Sequence, residues 1–158
     1  MHIETERKVL VKGDAYKEKA VASHSMVQAY VAHENGRTVR VRISDGKGIL
    51  TIKGPSLNGI SRKEWEKEIS LQDARDLMGL CQKGMIDKTR WIVPAGNGLS
   101  FEVDEFHGDN EGLVVAEIEL AGEDEVFDRP SWLGEEVTGQ KRYYNSYLTV
   151  YPYSQWKD

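Results

Sequence analysis

The chain has 158 residues, of which 39% are hydrophobic and 30% charged, and its formal net charge is -5. This length predicts one domain over residues 1–158, and the composition is that of a folded globular protein. The acidic total charge does not favour general nucleic-acid binding. Apolar runs are far shorter than the roughly 20 residues that cross a bilayer, and the first residues do not form a signal peptide. We therefore expect a cytoplasmic protein without a membrane partner.

Turn dipeptides divide the chain into short extended segments. Asp45-Gly46, Asn58-Gly59 and Asn97-Gly98 predict hairpins and therefore antiparallel strands. Alternating patterns predict eight strands, at about 2–12, 28–34, 37–44, 48–53, 61–69, 85–93, 99–106 and 112–120.

Helical spacing predicts a few helices around these strands. The first two are expected at about 14–22 and 71–82, the second with Ser70 as its N-cap. The end of the chain predicts a short helix at 130–137, begun by Pro130, and another at 143–151. Since closure removes exposed strand edges, the predicted fold is mainly β, of the α+β class: an eight-stranded antiparallel β-barrel with peripheral helices.

Charges of like sign recur at every second position on several predicted strands, and therefore lie on one face of the sheet. The acidic pairs are Glu4-Glu6, Glu102-Asp104 and Glu117-Glu119, and the basic pairs are Arg40-Arg42 and Lys88-Arg90. For a single strand, a solvated sheet face is the simpler explanation. Taken together, however, like charges on one face repel unless an opposite charge lies between them. A divalent cation with a polyphosphate meets both needs, and oxygen ligands favour Mg²⁺ or Mn²⁺.

The cost of burial predicts that the charged face encloses water. Stripping the solvent from so many ionised groups, at several kcal/mol each, would exceed the whole stability of a domain. The barrel is therefore expected to form a wide, wet tunnel that can hold a long anion.

The segment Glu4-x-Glu6-x-Lys8 resembles the ExExK signature of the CYTH superfamily, the triphosphate tunnel metalloenzymes. The likeness continues in order through 37–42, 50–54, 88–90, 102–104 and 117–120, and so covers nearly the whole chain. The chain is similar to the short bacterial form, which has no second domain.

The resemblance implies a tunnel that binds a triphosphate-containing substrate together with Mg²⁺ or Mn²⁺. The metal ligands that it implies are Glu4, Glu6, Glu102, Asp104, Glu117 and Glu119. The phosphate-binding residues are Lys8, Arg40, Arg42, Lys53, Lys88 and Arg90. The catalytic residues that it implies are Glu4, Glu6 and Lys8, and Lys8 acts either as a base or only as a phosphate contact. Further candidates for the tunnel lining are Arg62, Glu64, Glu66 and Arg142.

Among the activities that the resemblance implies, we favour hydrolysis of inorganic triphosphate by in-line attack of water. The chain is similar to short bacterial members, and an almost wholly charged lining offers little obvious aromatic platform for a nucleotide base. The alternatives are cyclisation of ATP to cyclic AMP, hydrolysis of nucleoside or thiamine triphosphate, and a non-catalytic polyphosphate-binding module. Such a module would have little use for the acidic pairs. The aromatic residues between 143 and 156 favour packing of the chain end or a homodimer contact over nucleic-acid stacking.

Overall fold

The structure, a computed structural model, describes residues 1–157; Asp158, the last residue of the predicted domain, lies outside the described residues. The strands are β1 (His2–Val11), β2 (Ala22–Glu34), β3 (Arg37–Ser44), β4 (Lys47–Lys53), β5 (Ser61–Ile69), β6 (Ile86–Gly96), β7 (Leu99–Phe106), β8 (Val114–Leu120) and β9 (Leu133–Glu136). The helices are α1 (Tyr16–Lys19), α2 (Leu71–Met78) and α3 (Asn145–Leu148). Among these described helices, none combines the length and the hydropathy that crossing a membrane requires.

Eight of the strands form a closed antiparallel barrel in the order β5-β4-β3-β2-β6-β7-β8-β1. The barrel closes where β1 pairs with β5 and Glu4 lies opposite Arg62. This confirms the predicted mainly β barrel with peripheral helices. The expected homodimer and cytoplasmic location stay predictions.

The outer face of the barrel carries the larger apolar core. Val9, Phe101, Val103 and Ile118 are buried there. Tyr16 of α1 covers this cluster together with aromatic residues that follow β8, among them Trp132. Because residues two apart share a face, burying these apolar positions turns the alternating charged residues inward.

A second apolar cluster plugs one end of the barrel. Leu10, Ile86, Phe106 and Val115 lie two residues from charged inner-face positions, so they share the inner face. They pack in one cluster with residues of the C-terminal segment, namely Val137, Tyr143, Leu148, Tyr153 and Trp156. The interior of the barrel therefore changes from charged to apolar along its axis.

Two predicted elements differ in extent. The helix expected at 14–22 is only the single turn α1, and β2 begins at Ala22 rather than at 28, because residues 22–27 pair with β6. The helix expected at 71–82 ends at Met78, and its predicted cap is confirmed: Ser70 Oγ accepts a hydrogen bond from the Asp73 backbone N–H at 3.0 Å. The helix expected at 143–151 is the single turn α3.

The helix predicted at 130–137 is wrong, because 133–136 form strand β9. The reason lies in the barrel, where β5 pairs only with residues 2–5 of β1. The second half of β1 is left with an open edge, and β9 occupies it, with Glu136 opposite Val9. The Val137 N–H continues this pairing by donating to the Lys8 carbonyl at 2.8 Å.

Candidate active site

A cavity of about 490 Å³ lies inside the barrel. Charged residues of β1, β3, β4, β5, β6 and β8 supply its walls, and two loops and the C-terminal segment supply its rim. The predicted site residues that line it are Glu4, Glu6, Lys8, Arg40, Arg42, Lys53, Arg62, Lys88, Arg90 and Glu117. Residues from six separated stretches of sequence therefore meet at one place.

Lys88 and Arg90 on β6 share one counter-ion, Asp104 on β7. Asp104 is wholly buried. It accepts hydrogen bonds from Arg90 Nε at 2.8 Å, from Arg90 Nη2 at 2.9 Å and from Lys88 Nζ at 2.8 Å. These two cations hold the pKa of Asp104 below its ordinary value. Burial in turn lowers the pKa of Lys88 to about 7.

Arg40 and Arg42 on β3 donate hydrogen bonds to neutral partners, and Arg40 Nη2 also lies 3.9 Å from Glu66 Oε2. Arg42 Nε donates to Gln28 Oε1 at 2.8 Å, and Arg40 Nη2 donates to Thr51 Oγ1 at 3.1 Å. Burial, followed by repulsion from Arg40 and Arg90, lowers the pKa of Arg42. Both guanidinium groups are thus held in place, and that of Arg42 has no ion pair among residues 1–157, which favours an anionic ligand.

Glu6 and Glu117 form the acidic wall of the cavity. Their carboxyl groups are in hydrogen-bonding contact, and burial together with the charges of Glu117 and Glu4 raises the pKa of Glu6 well above its ordinary value. The pKa of Glu117 is lowered well below its ordinary value, with Lys8 and Arg90 as the main favourable charges. Within the pair, the neutral form is therefore favoured at Glu6 and the ionised form at Glu117.

Two lysines border this acidic wall. Lys53 Nζ lies 2.8 Å from Glu4 Oε1 and 3.6 Å from Glu64 Oε2. Lys8 Nζ lies 3.9 Å from Glu117 Oε1, donates to the Tyr143 carbonyl at 3.3 Å and sits over the Tyr144 ring. Both ammonium groups are therefore anchored beside carboxylates at the cavity wall.

Six of the residues singled out by sequence do not line the cavity as it stands: Glu64, Glu66, Glu102, Asp104, Glu119 and Arg142. Glu102 accepts a hydrogen bond from Arg90 Nη1 at 3.1 Å, and Glu119 accepts one from His2 Nε2 at 3.0 Å. Arg142 stacks on the Trp156 ring, 4.3 Å from its centroid. Arg62 does line the cavity, and it also donates to the carbonyls of Gly54 and Gly36, which fastens two loops of the rim.

Several lining residues were missed from the sequence. Tyr30 is buried on the inner face of β2, two residues after Gln28, and the alternation of that predicted strand was a signal that could have found it. Lys141, Tyr144, Asn145 and Tyr147 come from the C-terminal segment. Their positions depend on tertiary packing, and the local sequence carries no signal for them. Because Tyr30, Tyr144 and Tyr147 border the cavity, the expectation of an almost wholly charged lining is wrong.

The donor set of the cavity fits a hard divalent cation. Among residues 1–157, no group of three or more His, Cys, Asp or Glu side chains could hold a metal ion by itself. However, Mg²⁺ is commonly bound by one or two carboxylates plus phosphate oxygens of the substrate. The Glu6–Glu117 pair supplies such carboxylates, and a bound cation would favour the ionised form of Glu6, whose pKa is raised in its absence.

Comparison with known proteins identifies the family. The CYTH domain family matches residues 2–148. An inorganic triphosphatase of Acetivibrio thermocellus is 47% identical over 156 residues, which cover 98% of both chains. An inorganic triphosphatase of Nitrosomonas europaea is 34% identical over 114 residues, 71% of this chain and 74% of that one. The crystal structure of an inorganic triphosphatase superposes with a TM-score of 0.68 at 29% identity, covering 95% of this chain and 96% of that one. The resemblance noted in the sequence is confirmed: the chain belongs to the CYTH domain family.

Proposed function

We propose that this protein hydrolyses inorganic triphosphate to orthophosphate and pyrophosphate, with Mg²⁺ or Mn²⁺ as the metal ion. The observation that carries the proposal is the cavity in which basic side chains of five strands face the carboxylates of Glu4, Glu6 and Glu117. Two relatives bear the name inorganic triphosphatase, and this bears out the activity expected from the sequence.

The basic side chains bind the phosphate chain. Arginine presents a planar fork that matches two phosphate oxygens, whereas lysine acts as a point charge. Arg40 and Arg42 provide two such forks on one strand, and Lys53, Lys88 and Arg90 flank them. Because Arg40 and Arg90 repel Arg42 in the free protein, a polyanion relieves repulsion as it binds. Binding and neutralisation of this kind make up most of the catalysis of phosphoryl transfer.

The carboxylates hold the metal ion and position the attacking water. Glu4, Glu6 and Glu117 are the candidate ligands, and a bound cation would favour the ionised form of Glu6, whose pKa is raised in its absence. When bound, the metal ion would supply neutralisation of phosphate charge and a lowered pKa of the attacking water. Lys8 lies beside Glu117, where its side chain contacts phosphate as the ammonium or, as the neutral amine, accepts the proton of the attacking water. The attack is in line with the terminal phosphorus and expels pyrophosphate.

The decisive assay measures orthophosphate, pyrophosphate and cyclic AMP released from inorganic triphosphate and from ATP. The reactions contain Mg²⁺, Mn²⁺ or EDTA, beside a Glu4→Gln/Glu6→Gln double variant. Asp124→Asn is the matched control, because it removes one negative charge from an exposed loop.

We expect orthophosphate release from triphosphate that needs the metal, is lost in the double variant and is kept in the control. Cyclic AMP formation would identify a cyclase. Tight triphosphate binding without turnover would identify a polyphosphate-binding module instead.

A further inference from the structure

Two neutral amide side chains link the cationic residues of the cavity. Gln28 is fully buried on β2. Its Oε1 accepts a hydrogen bond from Arg42 Nε at 2.8 Å, and its Nε2 donates to Asn145 Oδ1 at 3.0 Å. Asn145 Oδ1 also accepts a hydrogen bond from Lys88 Nζ at 2.9 Å. One amide oxygen on α3 thus joins β2 to β6.

The outer members of this chain of hydrogen bonds fix the orientation of both amides. Arg42 Nε can only donate, so the Gln28 atom that faces it must be the oxygen, and the NH₂ group of Gln28 must face Asn145. The Lys88 amine is also a donor, so Asn145 presents its oxygen to both neighbours. The remaining polar atom of Asn145, Nδ2, therefore points away from Gln28 and Lys88.

Asn145 is itself a lining residue of the cavity. Within residues 1–157, the two hydrogen bonds of its side chain both use Oδ1, and Nδ2 has no partner. Asn145 Nδ2 therefore lies on the cavity wall as an N–H donor without a partner among the described residues. It is available to an anionic ligand. A neutral donor also adds no charge beside Lys88, where a further cation would repel it.

We infer that Asn145 Nδ2 donates a hydrogen bond to an oxygen of the bound triphosphate, and that Gln28 is a positioning residue that holds the amide in this orientation. The inference rests on the proposed triphosphatase function and adds a neutral substrate contact from the C-terminal segment to the charged ones from the barrel.

Asn145→Asp tests the contact with little change of shape. Aspartate keeps an oxygen for Gln28 and Lys88 but replaces the Nδ2 donor by a second, negatively charged oxygen. Losing one hydrogen bond to a charged group corresponds to roughly a ten- to hundredfold weaker interaction. We expect KM for inorganic triphosphate to rise by about that factor while kcat changes by less than about threefold. Asn145→Ala, which removes the donor without adding charge, should raise KM by roughly tenfold.

The matched control is Asn97→Asp in the turn that joins β6 to β7. It adds the same charge, and its left-handed backbone, with φ of 54°, is one that aspartate accepts as readily as asparagine. We expect its KM and kcat to equal those of the wild type. Thermal melts of all four proteins reveal any loss of folding stability.

The possible results distinguish the proposed function from the contact made by Asn145. A wild type that does not release orthophosphate overturns the proposed function. The dissociation constant of inorganic triphosphate, measured by calorimetry, then replaces KM as the test of Asn145. An unchanged KM, or dissociation constant, in both Asn145 variants overturns the inference. So does a lowered melting temperature with reduced kcat and unchanged KM, because that combination describes a structural role. A wild type that neither hydrolyses nor binds triphosphate overturns both.

Discussion

Asp104→Asn removes the counter-ion of two buried cations and keeps the shape of the side chain. Asp104 has no exposed surface and accepts three hydrogen bonds from Lys88 and Arg90, each between 2.8 and 2.9 Å. Breaking a buried ion pair by removing one partner costs about 3–5 kcal/mol, because the other charge stays buried without compensation. For a domain of this size, each kcal/mol lowers Tm by about 2–4 °C. We therefore expect Tm to fall by roughly 6–20 °C.

Thermal unfolding followed by circular dichroism, in EDTA and in Mg²⁺, measures this effect. Asp124→Asn is the control, because it makes the same chemical change at an exposed position and should stay within about 0.5 kcal/mol of the wild type. The family resemblance implied that Asp104 is a metal ligand, and EDTA distinguishes that role from the role of a counter-ion. A counter-ion is needed whether or not metal is present, so the fall in Tm should persist in EDTA. If Asp104→Asn melts like the wild type in EDTA and loses only the stabilisation that Mg²⁺ adds, the counter-ion argument is refuted.

Three further changes probe other parts of the structure. Since the raised pKa of Glu6 makes the folded protein keep a proton that the unfolded chain releases, metal-free stability should fall as pH rises from the ordinary value of 4.5 through the raised pKa. Glu6→Gln should flatten this decline of Tm with pH in a series from pH 4 to 9. An unchanged slope of Tm against pH would contradict the raised pKa of Glu6. Arg62→Met should speed hydrogen–deuterium exchange of the loops at Gly36 and Gly54, because it removes the donors to both carbonyls. Unchanged exchange in these loops would show that the two hydrogen bonds of Arg62 are not needed to hold them. Ser70→Ala should cost about 1 kcal/mol in urea unfolding by removing the cap of α2, whereas Ser70→Asp should restore it.

The inner face of the barrel could be predicted because alternation along a strand is a local property. Once the apolar residues of a strand face the outer core, their neighbours must face inward, and Glu4, Glu6 and Lys8 follow from this rule alone. The same rule does not say how deep along the barrel axis an inner residue lies. Asp104 and Glu117 share the inner face, yet only Glu117 borders the cavity, while Asp104 is enclosed by Lys88 and Arg90.

Much of the segment that follows β8 escaped prediction because tertiary contacts decide its structure. The four residues of β9 include Gly134 and carry no strand pattern, and they become a strand because the second half of β1 has an open edge. Asn145 and Tyr144 reach the cavity only through the packing of Tyr143 and Leu148 into the apolar plug. Neither event leaves a trace in a local window of sequence.

The charge of the cavity is opposite to that of the protein. The chain carries a net charge of -5, yet the basic side chains that line the cavity outnumber the acidic ones among the described residues. The raised pKa of one of those carboxylates, Glu6, favours its neutral form, and Asp104 compensates only the cations nearest to it. Lys8, Lys53, Lys88 and Arg90 each have a carboxylate partner, but a neutral ligand would leave the remaining positive charge of the lining, such as that of Arg42, uncompensated, at a cost that grows as water is excluded. A compact polyanion removes that cost, so we expect the cavity to select its ligand by charge, also in the metal-free protein.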